Sequence, residues 1–563
     1  MNPKKLFATL TSTAMVLTMA GCTTKTVNNV LTVGINAAMN GVFSPMYYES
    51  TYDGYAIDLM YQSLLAYNAK QELVPELAKN LPKISENGKT YTFKLKEDIL
   101  FSDGTPCTSS DVKYSFTVMA DPSYTGRFSN FSSNIVGYEE YNQGDATELS
   151  GIETPDEHTI IFHMKEPRID ALSTLGTMDI CSDEQFEYIK GNTKEIEENT
   201  DQPIGTGAYI LNSYDKAAGA SFSRNDKFKS EDGKYSIDKI IIKHTETATE
   251  IDELKSGSVD YLPSISDPGK ISSVSQDKQL DYATAPGNTI GYFFFNAAKG
   301  PTAERDVRQA LIYATNREEY IKSYFIYNED ASKEIKNEKL AYLPTVYANP
   351  LNPEVGAYIR NEENLDGMRR YDFDLSKASE ILDQSGWILQ NDGYRYKNGQ
   401  KLTVRILIAD GSRSMETLVP IIVKDWKAIG VDLKQNTVDF NTLISTVTDD
   451  GQLNNWETSI LAYGYTTLSN VDMNATYKTG EINNYGRLSN PKLDSLLDQA
   501  MYTADIEEST KYYKKAMILL NEEAAYIPLY GANSFNLYNK RVKNLKTSSF
   551  YEWSDAIADA YLE

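Results

Sequence analysis

Strand and helix signals alternate along the whole chain, and no Gly/Ser-rich or Pro-rich linker separates them. That pattern selects an α/β class, because the two-residue and 3.6-residue periods recur in turn rather than in blocks. Leu31-Thr-Val-Gly-Ile35 reads as a strand. From Lys89 to Lys96, Tyr91, Phe93 and Leu95 face one way, while Thr92, Lys94 and Lys96 face the other. Ser102-Asp-Gly-Thr-Pro106 is turn chemistry. Thr108-Ser-Ser-Asp111 fits a capping box; behind it Val112, Ser115, Phe116 and Met119 share one helical face, and Pro122 follows the helix end.

The second half carries longer helices. Val307, Ala310, Leu311 and Ala314 line up within Arg305 to Ala314, and Asn316 with Glu319 opens another helix. Met415 to Ile429 is amphipathic through Leu418, Val419, Ile422, Val423, Trp426 and Ile429; Gly430 closes it, and a strand resumes at Val431-Asp-Leu433. Asn490-Pro491 opens a helix with Leu493, Leu496 and Leu497 inward. Two polar stretches, 191–202 and 328–339, read as surface loops or helix ends. At 563 residues the chain can build two to four domains. Several domains without a linker imply that the chain crosses between lobes more than once.

The N-terminus reads as a lipoprotein signal peptide over 1–21. Lys4 and Lys5 precede an apolar stretch from Leu6 to Ala20, too short for the roughly 20 residues of a membrane span, and it runs into Met19-Ala-Gly-Cys22. Such cleavage sites usually carry Leu three residues before the Cys; Met19 stands there here. Cys22 is the expected lipidation site, and 22–29 a tether. No later segment has 18 consecutive apolar residues. The formal net charge of −24 argues against nucleic acid and against electrostatic binding to anionic lipid. Cys107 and Cys181 are expected as free, partly buried thiols. The three histidines, His158, His163 and His244, form no metal-ligand motif, and no CxxC is present. No metal and no cofactor are expected.

Several segments are similar to a known family. Pro75-Glu-Leu-Ala78, Gly88-Lys-Thr-Tyr-Thr-Phe-Lys-Leu-Lys96, Phe101-Ser-Asp-Gly-Thr-Pro-Cys107 and Asp111-Val-Lys-Tyr-Ser115 resemble the signature of the family-5 extracellular solute-binding proteins, the oligopeptide- and dipeptide-binding components of ABC importers. Pro203-Ile-Gly-Thr-Gly-Ala-Tyr209, Leu254-Lys-Ser-Gly257 with Asp260, Phe294-Phe-Asn296, Asp306-Val-Arg308-Gln-Ala-Leu311, Ala314-Thr-Asn-Arg317 and Ile527-Pro-Leu-Tyr530 follow in the family's order.

The resemblance implies a two-lobed, periplasmic-binding-protein-like fold of type II in its three-domain variant, with a ligand cleft between interleaved lobes. Lobe one would comprise 30–60, 200–285 and 521–563, the inserted domain 61–199, and lobe two 286–520. The implied ligand-binding residues are Asn36, Ala37, Ala38, Met39, Asn296, Tyr463, Gly464, Tyr465, Thr466, Thr467 and Asp472. In the family's peptide binders an Asp stands three residues after the aromatic that ends a strand, and pairs with the ligand amine. Counted from Tyr465 that position is Leu468, which accepts no hydrogen bond; Asp472 lies four residues further on. The implied function is capture of oligopeptides or dipeptides for an ABC permease, by a monomer anchored at the outer face of the cytoplasmic membrane. The alternatives are a non-peptide solute such as an oligosaccharide or opine, or a peptide-signal receptor without transport.

No catalytic residue is expected. Gly205-Thr-Gly207 lacks the Lys-Ser/Thr of a phosphate loop, and Phe101-Ser-Asp-Gly-Thr-Pro has no paired His. The 40 Tyr against 19 Phe fit half-buried strands as well as a cleft lining.

Overall fold

The computed structural model describes residues 29–563 apart from 71, 231–232, 266, 326–340, 343–366, 465–468, 482 and 549–550. Local chemistry sets the elements. Thr108 and Asp111 close the capping box at helix Ser109–Met119, where Val112, Ser115, Phe116 and Met119 are all buried. Asn490 caps helix Pro491–Met501, with Pro at its start; Leu493 and Leu497 are buried and Leu496 half-buried. Helix Arg413–Ala428 buries Leu418, Ile422 and Trp426, and the Trp426 indole N–H donates to the Leu311 carbonyl and the Thr315 hydroxyl, both at 3.1 Å. Gly430 then takes φ +83°, which a side chain resists. Of the two polar stretches, the first holds the short helix Lys194–Glu198 and the second lies outside the described residues.

One large sheet organises the chain. Its strands in chain order are β1 Val30–Ile35, β2 Tyr209–Asp215, β3 Gly219–Arg224, β4 Lys239–His244, β5 Tyr261–Ile265, β6 Leu280–Phe295, β7 Ala341–Tyr342, β8 Thr403–Ala409, β9 Asp432–Val438, β10 Thr458–Gly464 and β11 Tyr526–Asn539. They pair in the order β9-β8-β10-β6-β11-β5-β1-β4-β3-β2, with β7 against β11. The segment between β1 and β2 holds a separate antiparallel sheet, Lys83–Ile84, Thr90–Lys94, Thr159–His163 and Ile152–Asp156 in spatial order. Tyr91 and Phe93 face inward there, as the alternation predicts.

Three apolar cores lie along this sheet. One joins β1, β3 and β4 to the inserted sheet and to the C-terminal Trp553 and Ile557. A small one packs Leu254, Ile271 and Val274 on Leu280, Phe535 and Leu537. The third gathers residues from Tyr292 to Tyr530, including Trp426 and Trp456. Among the described residues only β6 and β11 run from the second core into the third: Leu280 and Leu537 lie in one, Phe294 and Ile527 in the other. Between those halves their register shifts, from Pro286↔Asn533 to Ile290↔Gly531. Cys107 and Cys181 are free, buried thiols, and burial raises the pKa of both.

Candidate ligand-binding site at the strand crossover

The register brings two strand ends to this crossover from opposite sides. β1 is parallel to β5, with Val33 beside Tyr261; β5 is antiparallel to β11, and β11 to β6. β1 therefore runs in the direction of β6, and past Ile35 it heads for the Asn533–Pro286 level. β10 is antiparallel to β6 and arrives from the other lobe, with Tyr463 opposite Ile290 and Gly464 opposite Thr289. The loop after β1, carrying Asn36, Ala37, Ala38 and Met39, thus approaches the same crossover as Tyr463 and Gly464.

That loop is braced from two elements. Asp53, on helix Thr51–Met60, is 0 % exposed and accepts from the backbone N–H of Gly41 at 3.0 Å and of Asn40 at 3.3 Å. Burial raises the Asp53 pKa, while the N–H groups of Gly41, Asn40 and Val42 oppose the rise. Tyr52 donates its hydroxyl to Asn36 Oδ1 at 2.7 Å, and Tyr214 on β2 donates to the Met39 carbonyl at 2.7 Å. Gly41 lies at φ +83° with the Tyr214 ring 2.5 Å from where a Cβ would stand. Ala37 and Asn40 stay exposed, Ala38 is half-buried, and Met39 turns into the core.

Asn296 belongs elsewhere. It follows the far end of β6, about 20 Å of extended chain from Thr289, and is 0 % exposed. Its amide N–H groups donate to the Leu453 and Trp456 carbonyls, and its Oδ1 accepts from the N–H of Ala298 and Lys299. It braces a chain turn inside the protein and presents nothing to the crossover. Tyr465, Thr466, Thr467 and Leu468 lie outside the described residues, as does Cys22; Asp472 falls on helix Ser469–Tyr477.

Sequence reasoning missed an aromatic group beside the crossover. Tyr530 stands opposite Gly291, one residue from the shift, and its ring fills the space that a Gly291 side chain would need. Tyr320 and Tyr324 stack on each other at 5.6 Å between centroids and flank Tyr530 at 5.8 and 6.0 Å. The family-like Ile527-Pro-Leu-Tyr530 marked the segment but not the partners of its Tyr. His244 ends β4 beside Ile35, so one histidine stands near the braced loop, while His163 lies in the inserted sheet and His158 in the turn before its strand.

The model for bacterial extracellular solute-binding proteins, family 5 Middle, matches residues 72–485. Among curated proteins, heme-binding protein A of Haemophilus influenzae is 24 % identical over 97 % of both chains. The dipeptide-binding protein of Escherichia coli is 25 % identical over 89 % of both. Among solved structures, the oligopeptide-binding protein AppA of Bacillus subtilis, in complex with a nonapeptide, superposes with a TM-score of 0.68 at 17 % identity, covering 95 % of this chain and 99 % of that one. The chain belongs to family 5 of the bacterial extracellular solute-binding proteins, and its two-lobed α/β architecture is the one this family shares.

Proposed function

We propose that this solute-binding protein captures oligopeptides or dipeptides at the crossover and delivers them to an ABC permease, held at the outer face of the cytoplasmic membrane by a lipid on Cys22. The observation that carries the peptide reading is the one-sided pairing of β10. It pairs with β6 along its whole length but with β8 only at Thr458↔Ile406. The stretch toward Gly464 therefore has one edge without a ladder partner among the described residues, where an extended backbone can add as a strand. Each hydrogen bond contributes about 0.5–1.5 kcal/mol net, so several reach the roughly −8 kcal/mol of micromolar binding. Such a site reads backbone more than side chain and suits a mixed pool of peptides.

The ligand-facing set is then Asn36, Ala37, Ala38, Tyr463, Gly464, Tyr465, Thr466 and Thr467, with Met39 supporting the loop. Leu468 cannot receive an ammonium group, so the ligand amine is read by Asp472 or not at all. The binding step uses no cofactor and no catalytic group. The similarity to a heme-binding protein along the whole chain, together with His244 beside Ile35, favours a second reading, a solute held through a metal.

Mass spectrometry of ligand released from natively purified protein separates the two readings: a ladder of peptide masses supports the first, and a heme or metal chelate overturns it. N-acetylation of a bound peptide then tests the amine. A large penalty that vanishes in Asp472→Asn places the amine on Asp472, and a penalty that survives there removes that residue from the role. Cys22→Ser should shift the protein out of the membrane fraction; unchanged fractionation would sink the anchor.

A further inference from the structure

A second concave region lies away from the crossover. A cavity of about 890 Å³ opens between the inserted segment and the lobe that carries β1 to β4, with the C-terminal 551–558 stretch closing one side. Its lining comes from 58–100, 206–235 and 551–558, so it shares no residue with the loop after β1, the end of β10 or the β6–β11 crossover. The volume falls within the roughly 300–1,000 Å³ of small-molecule sites.

Five carboxylates line it. Glu97 and Asp98 pair with lysines, whereas the other three, Asp58, Glu76 and Asp555, have only neutral hydrogen-bond partners among the described residues. Asp58 accepts from the Ser554 hydroxyl at 2.6 Å. Glu76 accepts from the Ser63 N–H at 2.8 Å, the Ser63 hydroxyl at 3.1 Å and the Gln62 amide at 3.4 Å. Asp555 accepts from the Glu552 N–H at 2.8 Å. The lysines in the lining do not neutralise them: Lys79 pairs with Glu97 at 2.6 Å, Lys229 with Asp98 at 3.0 Å and Lys234 with Asp559, while Lys96 and Lys227 extend as exposed side chains. Lys96 acts on Glu76 only as a weaker, opposing influence.

Burial raises Asp58 to about 6, with Glu76 adding to the rise, and raises Asp555 well above the ordinary range, with Asp58 and Glu76 adding. Asp58 and Asp555 nevertheless keep accessible surface. Both are exposed side chains lining a cavity that opens to solvent.

An independent feature points the same way. Thr206 lines the cavity at 1 % exposure, and among the described residues its hydroxyl has no hydrogen-bond partner; the Gln62 Oε1 of the same lining has none there either. Buried polar atoms are nearly always satisfied, so two orphans on one cavity mark hydrogen bonds left for something that enters it. Both can accept, as can the three carboxylates. Half-buried rings of Tyr67, Phe228, Tyr235 and Tyr551 complete the wall. Aromatic faces and unneutralised carboxylates together suit an organic cation. Among the described residues no group of three or more His, Cys, Asp or Glu is placed to hold a metal ion, which favours an organic over a metallic cation.

We propose that this cavity is a second ligand site, separate from the crossover, and that it takes a small organic cation bearing a primary amine or guanidinium group. Its donors satisfy Asp58, Glu76 and the Thr206 hydroxyl, and its charge relieves the repulsion among the carboxylates. Agmatine, which carries both groups, is the test ligand for the mature protein, followed by calorimetry at constant ionic strength and by hydrogen exchange. Expected are saturable binding, protection of 58–62 and 551–558 without protection of 36–40, and an affinity loss of about tenfold or more in Asp58→Asn and in Glu76→Gln. Thr206→Val should weaken binding a few-fold, and it remains informative if a carboxylate variant folds poorly. Absence of saturable binding, affinity unchanged in Glu76→Gln and Thr206→Val, protection at 36–40 instead, or tighter binding of glutarate or Mg²⁺ than of agmatine would each overturn the proposal.

Discussion

Asp53 and Asp58 sit five residues apart at either end of one helix, and their surroundings are opposite. Asp53 is fully buried, and its oxygens are taken by the backbone N–H groups of Gly41 and Asn40. Asp58 faces a cavity with, among the described residues, the Ser554 hydroxyl as its one hydrogen-bond partner and other carboxylates nearby. A buried carboxylate with backbone donors is a brace, because removing it leaves those donors unsatisfied. A carboxylate among like charges and without a cation stabilises nothing in the ligand-free fold. The sequence alone makes these two residues look alike.

The largest expected effect falls on the brace. Asp53→Ala removes two hydrogen bonds to a charged acceptor and should cost about 3 kcal/mol, read as loss of exchange protection at 40–41 and weaker binding at the crossover. An unchanged exchange pattern would remove Asp53 from its bracing role. Next comes Gly41→Ala, which sets a side chain at positive φ and against the Tyr214 ring, at about 1–3 kcal/mol. Tyr214→Phe deletes one neutral hydrogen bond to Met39 and should cost about 1 kcal/mol in urea unfolding; equal losses for the two variants would contradict the steric argument.

The cavity side predicts a pH dependence of definite sign. Asp58 is raised to about 6 and Glu552 to about 7, in each case chiefly by burial, and Glu76, Asp179 and Asp555, all raised by burial, face the same group, with Lys96 opposing weakly at Glu76. The folded state therefore holds protons that the unfolded chain, with carboxyls near 4, has released. Stability is fully present below the unfolded values and falls as pH rises through the interval from about 4 to 7. The unfolding temperature should be higher near pH 5 than near pH 8, and the reverse order would refute the reading. The smallest effect is Asp58→Asn. It should leave stability at neutral pH unchanged or slightly raised, and it should flatten the pH slope. A loss as large as that of Asp53→Ala would erase the distinction between the two carboxylates.

Much of the fold was legible locally. The capping box at Thr108, the buried face of helix Arg413–Ala428, the stop at Gly430 and the alternation through Tyr91 and Phe93 depend on neighbours within a turn or a strand, so residue spacing suffices to specify them. The family followed from motifs of the same local kind. What the tertiary structure decided is which distant segments meet. Val30 pairs with Lys239, and Gly291 with Tyr530, through registers set by packing across hundreds of residues. Those registers bring the ends of β1 and β10 to one crossover, place the Tyr530 ring over Gly291, and set Asn296 inside the protein with every amide atom engaged. They also gather Asp58, Glu76, Thr206 and Asp555 around one cavity. No periodicity carries that information, because a side chain's protonation and partners depend on what surrounds it in space, and those neighbours come from parts of the chain that local spacing does not connect.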